Sequence, residues 1–243
     1  MPHAQPASEM SLSGLDGRVA VVTGSSSGIG RCVADTLAAL GCRVAGIDLR
    51  VDPASCHASF AGDVSDEDDM ERCFSEIERT VGPAELLVTC AGVFEPTPIA
   101  ELAPDRWRHT LEVNLTGTFL CARRALPSMR ERGFGRIVTI SSGAGIDGGT
   151  EACAHYAASK GGVIALSKSL SKEVARDGVT VNVVAPRVVR TPMIAGMEDE
   201  LLPQIPVGRL GEPDDVAGAV AFLCSSHAAY VTGEVLVLNG GWW

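Results

Sequence analysis

Short apolar runs rich in β-branched residues alternate along the chain with longer stretches of helical periodicity. The short runs are RVAVVTG (18–24), RVAGIDL (43–49), SFAGDV (59–64), ELLVTCAG (85–92), GRIVTISS (135–142), VTVNVVAP (179–186) and EVLVLNGG (234–241). Most are apolar throughout instead of at every second position, as expected of strands covered on both faces in a parallel sheet. Between them, the spacing of apolar positions predicts helices over 28–41, 66–80, 105–132, 154–176 and 213–224. Ser65 or Asp66 would cap the second helix, with acids in its first turn; Gly41 and Gly178 mark the ends of the first and fourth. Strand alternating with helix implies right-handed crossovers and a doubly wound α/β sheet. With no internal repeat, long linker or composition break, the chain reads as one domain over 15–243 behind a flexible polar arm, 1–14.

The bulk numbers narrow the function classes. A chain of 243 residues, 46% apolar and 21% charged, can bury a core without disulfides or metals. Its net charge of −10 argues against nucleic acid or an anionic membrane surface as the main partner. No apolar run approaches the ~18 residues of a membrane span, and the first fourteen residues lack the pattern of a secretory signal. The eight cysteines form no C-x-x-C pair and no zinc-like cluster. They read as reduced structural thiols of a cytoplasmic protein with no metal site.

VAVVTGSSSGIGRCVADTLAALG joins the first predicted strand to the first predicted helix. Gly24, Gly28 and Gly30 fall where the chain turns sharply and where a phosphate can approach the backbone. The helix start then offers free N–H groups and a positive dipole end to a pyrophosphate, and Ser25, Ser26 and Ser27 add hydroxyls. The spacing T-G-x-x-x-G-x-G is not the commoner G-x-G-x-x-G, so this turn alone is a weak signal. Asp48, eighteen residues past Gly30, closes the second strand. A carboxylate there accepts hydrogen bonds from the ribose hydroxyls of NAD and repels the 2′-phosphate of NADP, a repulsion Arg50 partly offsets. NAD is the expected cofactor, with NADP disfavoured.

HYAASKGG (155–162) supplies the candidate chemistry: Tyr156 and Lys160 share one helix face, one turn apart. Alone, such a pair is as readily a packing feature as a proton-transfer device. In context, residues 15 to 241 resemble the short-chain dehydrogenase/reductase family. The resemblance rests on TGSSSGIG (23–30), GDV (62–64), CAG (90–92), VNLTGTF (113–119), VTISS (138–142), YAASKGG (156–162), VNVVAPRVVRTPM (181–193), GRLGEPDDVA (208–217) and TGEVLVLNGG (232–241), in that order. It implies a Rossmann-like fold with a seven-stranded parallel sheet and NAD(P)-dependent interconversion of a secondary alcohol and a ketone. By resemblance, Asn114, Ser142, Tyr156 and Lys160 would be catalytic. The cofactor would be held by the turn through Gly24, Ser26, Ser27, Gly28, Ile29 and Gly30, and by Asp48. Asp63 and Val64 would hold its adenine, Ala91 and Gly92 would pass its ribose, Val189 and Thr191 would meet its carboxamide, and Tyr156 and Lys160 would complete the set. A homotetramer, with helices 105–132 and 154–176 at an interface, is implied as well.

The chemistry follows from that set. Tyrosine is a poor base at an ordinary pKa of about 10. A Lys160 ammonium and the positive nicotinamide ring would both favour the phenolate and push that value down. Ser142 would orient the substrate oxygen, Lys160 would bind ribose hydroxyls, and Asn114 would hold a water linking Lys160 to solvent. Three departures from the family pattern stand out. Thr89-Cys90-Ala91-Gly92 replaces the usual N-N-A-G, Pro186-Arg187 replaces Pro-Gly, and fourteen residues, one more than is commonest, separate Ser142 from Tyr156.

The segment from Thr191 to Pro206, which would cover the substrate, is short for the family and suits a small substrate or an open pocket. Phe94, Gly143, His155, Met193 and Met197 are candidate walls, with His155 read as a helix-surface residue. Arg187 is a candidate for facing an acidic or phosphorylated substrate or the cofactor pyrophosphate. Trp242 and Trp243 offer apolar area for an interface or a neighbour's pocket. Two readings compete with the alcohol dehydrogenase: a 3-oxoacyl-thioester reductase using NADPH, which Asp48 disfavours, and a non-catalytic NAD(P)-sensing or scaffold protein, which would lose Tyr156 or Lys160. A cofactor-free dehalogenase would fill the glycine turn with bulky residues, and this chain does not.

Overall fold

The computed structural model describes residues 12–51 and 58–242; most of the expected arm, Cys56 and Trp243 lie outside the described residues. Seven strands are β1 (Val19–Thr23), β2 (Arg43–Asp48), β3 (Ala58–Ala61), β4 (Leu86–Thr89), β5 (Gly135–Ile140), β6 (Val179–Pro186) and β7 (Val235–Leu238). They form one sheet in the order β3-β2-β1-β4-β5-β6-β7, parallel at every pairing. The chain thus starts near the middle, runs to one edge, and returns from β1 to β4 toward the other. That reversal opens a crevice at the carboxyl ends of β1 and β4, where ligands of such sheets bind.

The helices are α1 (Gly28–Ala39), α2 (Glu67–Thr80), α3 (Pro104–Leu111), α4 (Gly117–Arg132), α5 (Ala144–Asp147), α6 (Ala154–Val174), α7 (Glu198–Leu201) and α8 (Pro213–Cys224). Residues β1, β4, β5 and β6 bury along their whole length because both faces are covered. On one face Val33, Leu37, Val216 and Val220 of α1 and α8 pack over Ala20, Val22, Leu86 and Val88. On the other, Phe74, Ile77, Leu120, Met129 and Val174 of α2, α4 and α6 pack over Val21, Ile47, Leu87 and Ile137. Asp66 is the residue that caps α2, accepting from Asp69 N at 2.9 Å.

Three expectations change. The single helix over 105–132 is instead α3 and α4 joined by a π-helical segment, Glu112–Thr116, with Asn114 at its centre. A π segment adds a residue to the turn and commonly marks a functional position. Several strands stop earlier than the apolar runs do: β4 at Thr89, β5 at Ile140, β7 at Leu238. Past β4 and β5 the chain leaves the ladder, and Cys90–Gly92, Ser141 and Ser142 line the crevice. Finally, His155 is not on the helix surface: it is fully buried, and neither ring nitrogen has a partner. The inward stripe of α6 includes His155, Ser159, Val163, Ser167 and Ser171, four residues apart, which turns the histidine toward the protein.

Candidate active site

A cleft of about 380 Å³ runs over the carboxyl ends of β1, β2 and β4. Its floor is the turn from β1 into α1. Gly24 has φ +67, and a Cβ there would come within 2.8 Å of Ala91 N. A Cβ at Gly30 would lie 2.1 Å from Gly24 O, so only glycine lets the turn fold back on itself. Ser27, Gly28 and Ile29 complete the floor, with the first turn of α1 and its unpaired N–H groups aimed along it.

At one end the cleft reaches Asp48, Asp63 and Val64. The Asp48 carboxylate accepts from Ser26 N at 3.0 Å and from Arg50 N at 3.3 Å, and the Ser26 hydroxyl donates to Arg50 O at 2.6 Å. Ser26 therefore acts on the site by aiming Asp48, while its own side chain turns away from the cleft wall. Asp63 accepts from both N and Oγ of Ser65, at 2.9 and 2.7 Å, which fixes the corner entering α2. Ala91 and Gly92 form the opposite wall, and Thr191 with Met193 closes the other end. A dinucleotide fits this set. Backbone donors would face a pyrophosphate, a carboxylate would face a ribose, and Gly24 and Gly30 let the turn pack against Ala91 and on itself where a Cβ would collide.

The cleft continues into a smaller pocket of about 90 Å³ that brings together Ser142, Tyr156, Lys160, Arg187, Val189 and Thr191. Tyr156 is raised above the ordinary tyrosine pKa by burial, against a hydrogen bond from Ser142 that pulls it down. The sequence expectation that Lys160 depresses the phenol does not hold in this state. The Lys160 ammonium donates to Ile140 O at 2.8 Å and sits 5.8 Å from the Tyr156 ring centre. Burial holds Lys160 itself down at about 8. The two candidate serines separate cleanly. Ser141 Oγ donates to Lys160 O at 2.8 Å and anchors α6, whereas Ser142 Oγ accepts from Ala144 N at 3.2 Å and reaches the phenol.

Asn114 is fully buried. Its Oδ1 accepts from Val93 N at 2.8 Å, and its Nδ2 donates to Val93 O and to Ser159 Oγ, both at 3.0 Å. A Cβ at Gly92 would lie 3.2 Å from Asn114 Oδ1 and 3.4 Å from Lys160 Nζ, so glycine keeps a gap between them. The 89–93 segment is held from outside it: Thr23 Oγ1 accepts from Ala91 N at 3.2 Å, and Asn114 clamps Val93. Cys90 fills the space as a small apolar group, its thiol pushed up to about 12 by burial.

Among the candidate substrate residues, the Phe94 ring packs on Tyr156 with centres 4.7 Å apart. Met193 lines both the cleft and the smaller pocket. Arg187 lines the smaller pocket, pairs with Asp147, and lies over the Trp242 ring at 4.4 Å. Asp147 and Trp242 were not singled out as its partners from the sequence, because nothing local links positions 147, 187 and 242. Ser159 was also missed; its spacing from Tyr156 and Lys160 on α6 is the one signal that points to it.

Residues 24–243 match a family model described as enoyl-(acyl carrier protein) reductase. The chain is 38% identical over 239 residues to 3-oxoacyl-(acyl-carrier-protein) reductase FabG of Escherichia coli (strain K12), covering 93% of this chain and 98% of that one. It is 38% identical over 238 residues to acetoacetyl-CoA reductase of Shinella zoogloeoides, with 92% and 98% covered. Its fold superposes on the ligand-free aldohexose dehydrogenase of Thermoplasma acidophilum with a TM-score of 0.90, at 30% identity, over 95% of this chain and 96% of that one. Matched by the family model over 24–243 and by relatives along nearly its whole length, this chain belongs to the short-chain dehydrogenase/reductase family, nicotinamide-dependent oxidoreductases that act on CH–OH and keto groups.

Proposed function

We propose that the protein interconverts a small secondary alcohol and its ketone with NAD, using Tyr156 as the acid/base. The observation that carries this reading is the junction of two features: the Ser142–Tyr156–Lys160 pocket opens into a cleft whose far end is the Asp48 carboxylate. The Gly24–Gly30 turn would hold the pyrophosphate, Asp48 and Lys160 the two riboses, Asp63 and Val64 the adenine, and Val189 with Thr191 the carboxamide. When bound, the nicotinamide accepts or gives the hydride and, oxidised, adds a positive charge to the site.

The residues of the chain handle the proton. Ser142 donates to the substrate oxygen and holds it against the phenol. In reduction Tyr156 gives its proton to the carbonyl oxygen as that oxygen gains charge; in oxidation the phenolate takes the hydroxyl proton. A phenol is protonated at neutral pH and burial raises its pKa further, so reduction runs there with the acid in place and oxidation rises as pH approaches the Tyr156 pKa. Phe94 excludes water from one face of the ring. Asn114, with both amide protons committed, supports the site by fixing Val93 beside Lys160, and only the second lone pair of its Oδ1 is left for a water.

A 3-oxoacyl-thioester reductase is the second reading, favoured by the names of the two curated relatives. Asp48 separates the two through the cofactor. A panel of alcohols, ketones, sugars and 3-oxoacyl thioesters, read by reduced-nicotinamide absorbance with NAD(H) and NADP(H) in parallel, decides between them. NAD(H) preference with a ketone or alcohol is the expected result. NADPH preference with thioesters would replace the first reading with the second, and turnover surviving Tyr156→Phe would remove both. Cytoplasmic placement and a homotetramer belong to the same proposal; light scattering tests the latter, with exposed Trp107 and Phe119 available to bury.

A further inference from the structure

Arg187 stands where three strand ends meet. It follows β6, its N–H donates to Leu238 O at 3.0 Å at the end of β7, and its guanidinium pairs with Asp147 in the turn that carries Ser142 beyond β5. That turn, SGAGIDGG (142–149), has four glycines and one residue more than the family spacing. Within it Ala144–Asp147 form the short helix α5, closed by Gly145 N, Ile146 N and Gly148 N on Ser142 O, Gly143 O and Ala144 O at 3.0, 2.9 and 3.0 Å, while its glycines leave the rest of the backbone little restricted. What orients this unit against the sheet comes from outside it. Gly143 N donates to Pro186 O at 2.9 Å and a Cβ at Gly143 would sit 3.3 Å from Arg187 Cγ; within the segment, Asp147 also accepts from Gly149 N at 2.8 Å. The guanidinium is in turn held by the Trp242 ring, 4.4 Å from Cζ, and Trp242 is set by its N–H donating to Asn239 O at 3.0 Å. The Arg187 side chain is only 14% exposed, and Asp147, 36% exposed, takes up its charge.

We infer that Arg187 is a positioning residue that sets Ser142 against Tyr156 through Asp147, with the Trp242 ring packed against the guanidinium. The charge that the sequence offers to an acidic substrate is committed within the protein. A loosened 142–149 turn lets the serine hydroxyl drift from the phenol and from the substrate oxygen, a misplacement of about 1 Å being enough to cost as much as ~100-fold in turnover. Because the Ser142 hydrogen bond lowers the Tyr156 pKa, its loss raises that pKa further. Arginine suits the task better than lysine, because a planar group can pair along one edge while stacking on a ring.

The inference rests on the proposed alcohol–ketone reaction, and the test has one readout that does not. Arg187→Ala, Asp147→Asn and the double variant are compared in a Tyr230→Phe background. Tyr156 is then the only tyrosine left, since the chain has two, and ultraviolet difference absorbance follows its ionisation. Expected are a loss of about 30- to 100-fold in kcat with little change in KM, an unchanged NAD Kd by calorimetry, and an upward move of the Tyr156 titration. The single and double variants should agree within about threefold, because both break one unit. Arg187→Lys should recover part of kcat, and Trp242→Phe most of it. Were Arg187→Ala to misfold, Asp147→Asn decides alone. Parent-like kcat in Asp147→Asn, multiplicative losses in the double variant, or a KM rise confined to anionic substrates would overturn the inference. A shifted Tyr156 titration without turnover of any panel substrate would instead sink the proposed reaction and leave the positioning role standing.

Discussion

Replacing Lys160 by methionine tests the electrostatics of the site through stability. The ammonium is 4% exposed and has one hydrogen bond, to Ile140 O. Burial lowers its pKa from 10.5 to about 8. Wherever the native amine is charged, that difference costs the fold roughly 3 kcal/mol, at about 1.4 kcal/mol for each pH unit. Below pH 8 both native and unfolded chains hold the proton, and the penalty is present in full. Between about pH 8 and 10.5 the native state has released it while the unfolded chain has not, so stability rises with pH; above that range the penalty is gone. Lys160→Met has no such proton to lose, and the groups common to both proteins cancel in the difference. The neighbouring Cys90 titrates near 12, outside the window. Urea unfolding of parent and variant, from about pH 7 to about pH 10.5, should give a stability difference that moves by roughly 3 kcal/mol in the parent's favour as pH rises. A difference flat across that range would refute a buried, charge-penalised Lys160. The variant should also lose turnover, which would show a residue kept for function at a cost to the fold.

Gly30→Ala would place a Cβ 2.1 Å from Gly24 O, so the turn must open. With its N–H groups displaced from a pyrophosphate, NAD affinity should fall by roughly 100-fold or more in a fluorescence titration, with the circular dichroism spectrum unchanged. Asn114→Ala leaves Val93 N and O without their partner, which should cost about 3 kcal/mol and lower the melting temperature by roughly 10 °C in calorimetry. Phe94→Ala uncovers the Tyr156 ring, which the phenylalanine packs against at 4.7 Å. Since burial is what raises the phenol's pKa, the alkaline rise of the oxidation rate should move to lower pH. A profile that stays in place would mean that the shielding comes from elsewhere. Ala152 has φ +60 just before α6, so Ala152→Gly should relieve strain and stabilise by up to about 1 kcal/mol in chemical denaturation.

By itself the sequence determined the fold and the order of parts. Fully apolar strand runs mean two covered faces, alternation with helices means parallel crossovers, the glycines join two successive elements, Asp48 ends one strand and Tyr156/Lys160 share one helix, so local spacing carries their geometry. These are local facts, written in period and spacing. Only the tertiary structure decided what depends on residues far apart in the chain. The joining of positions 147, 187 and 242 around one guanidinium is of this kind, as is the clamp from Asn114 to Val93. So too are the inward turn of His155 and the direction in which Tyr156 is shifted. Burial is a property of everything packed around a group. A lysine four residues from a tyrosine looks like a charge that lowers a phenol's pKa, but enclosed by the sheet and helices it is the water removed from both that sets their proton affinities.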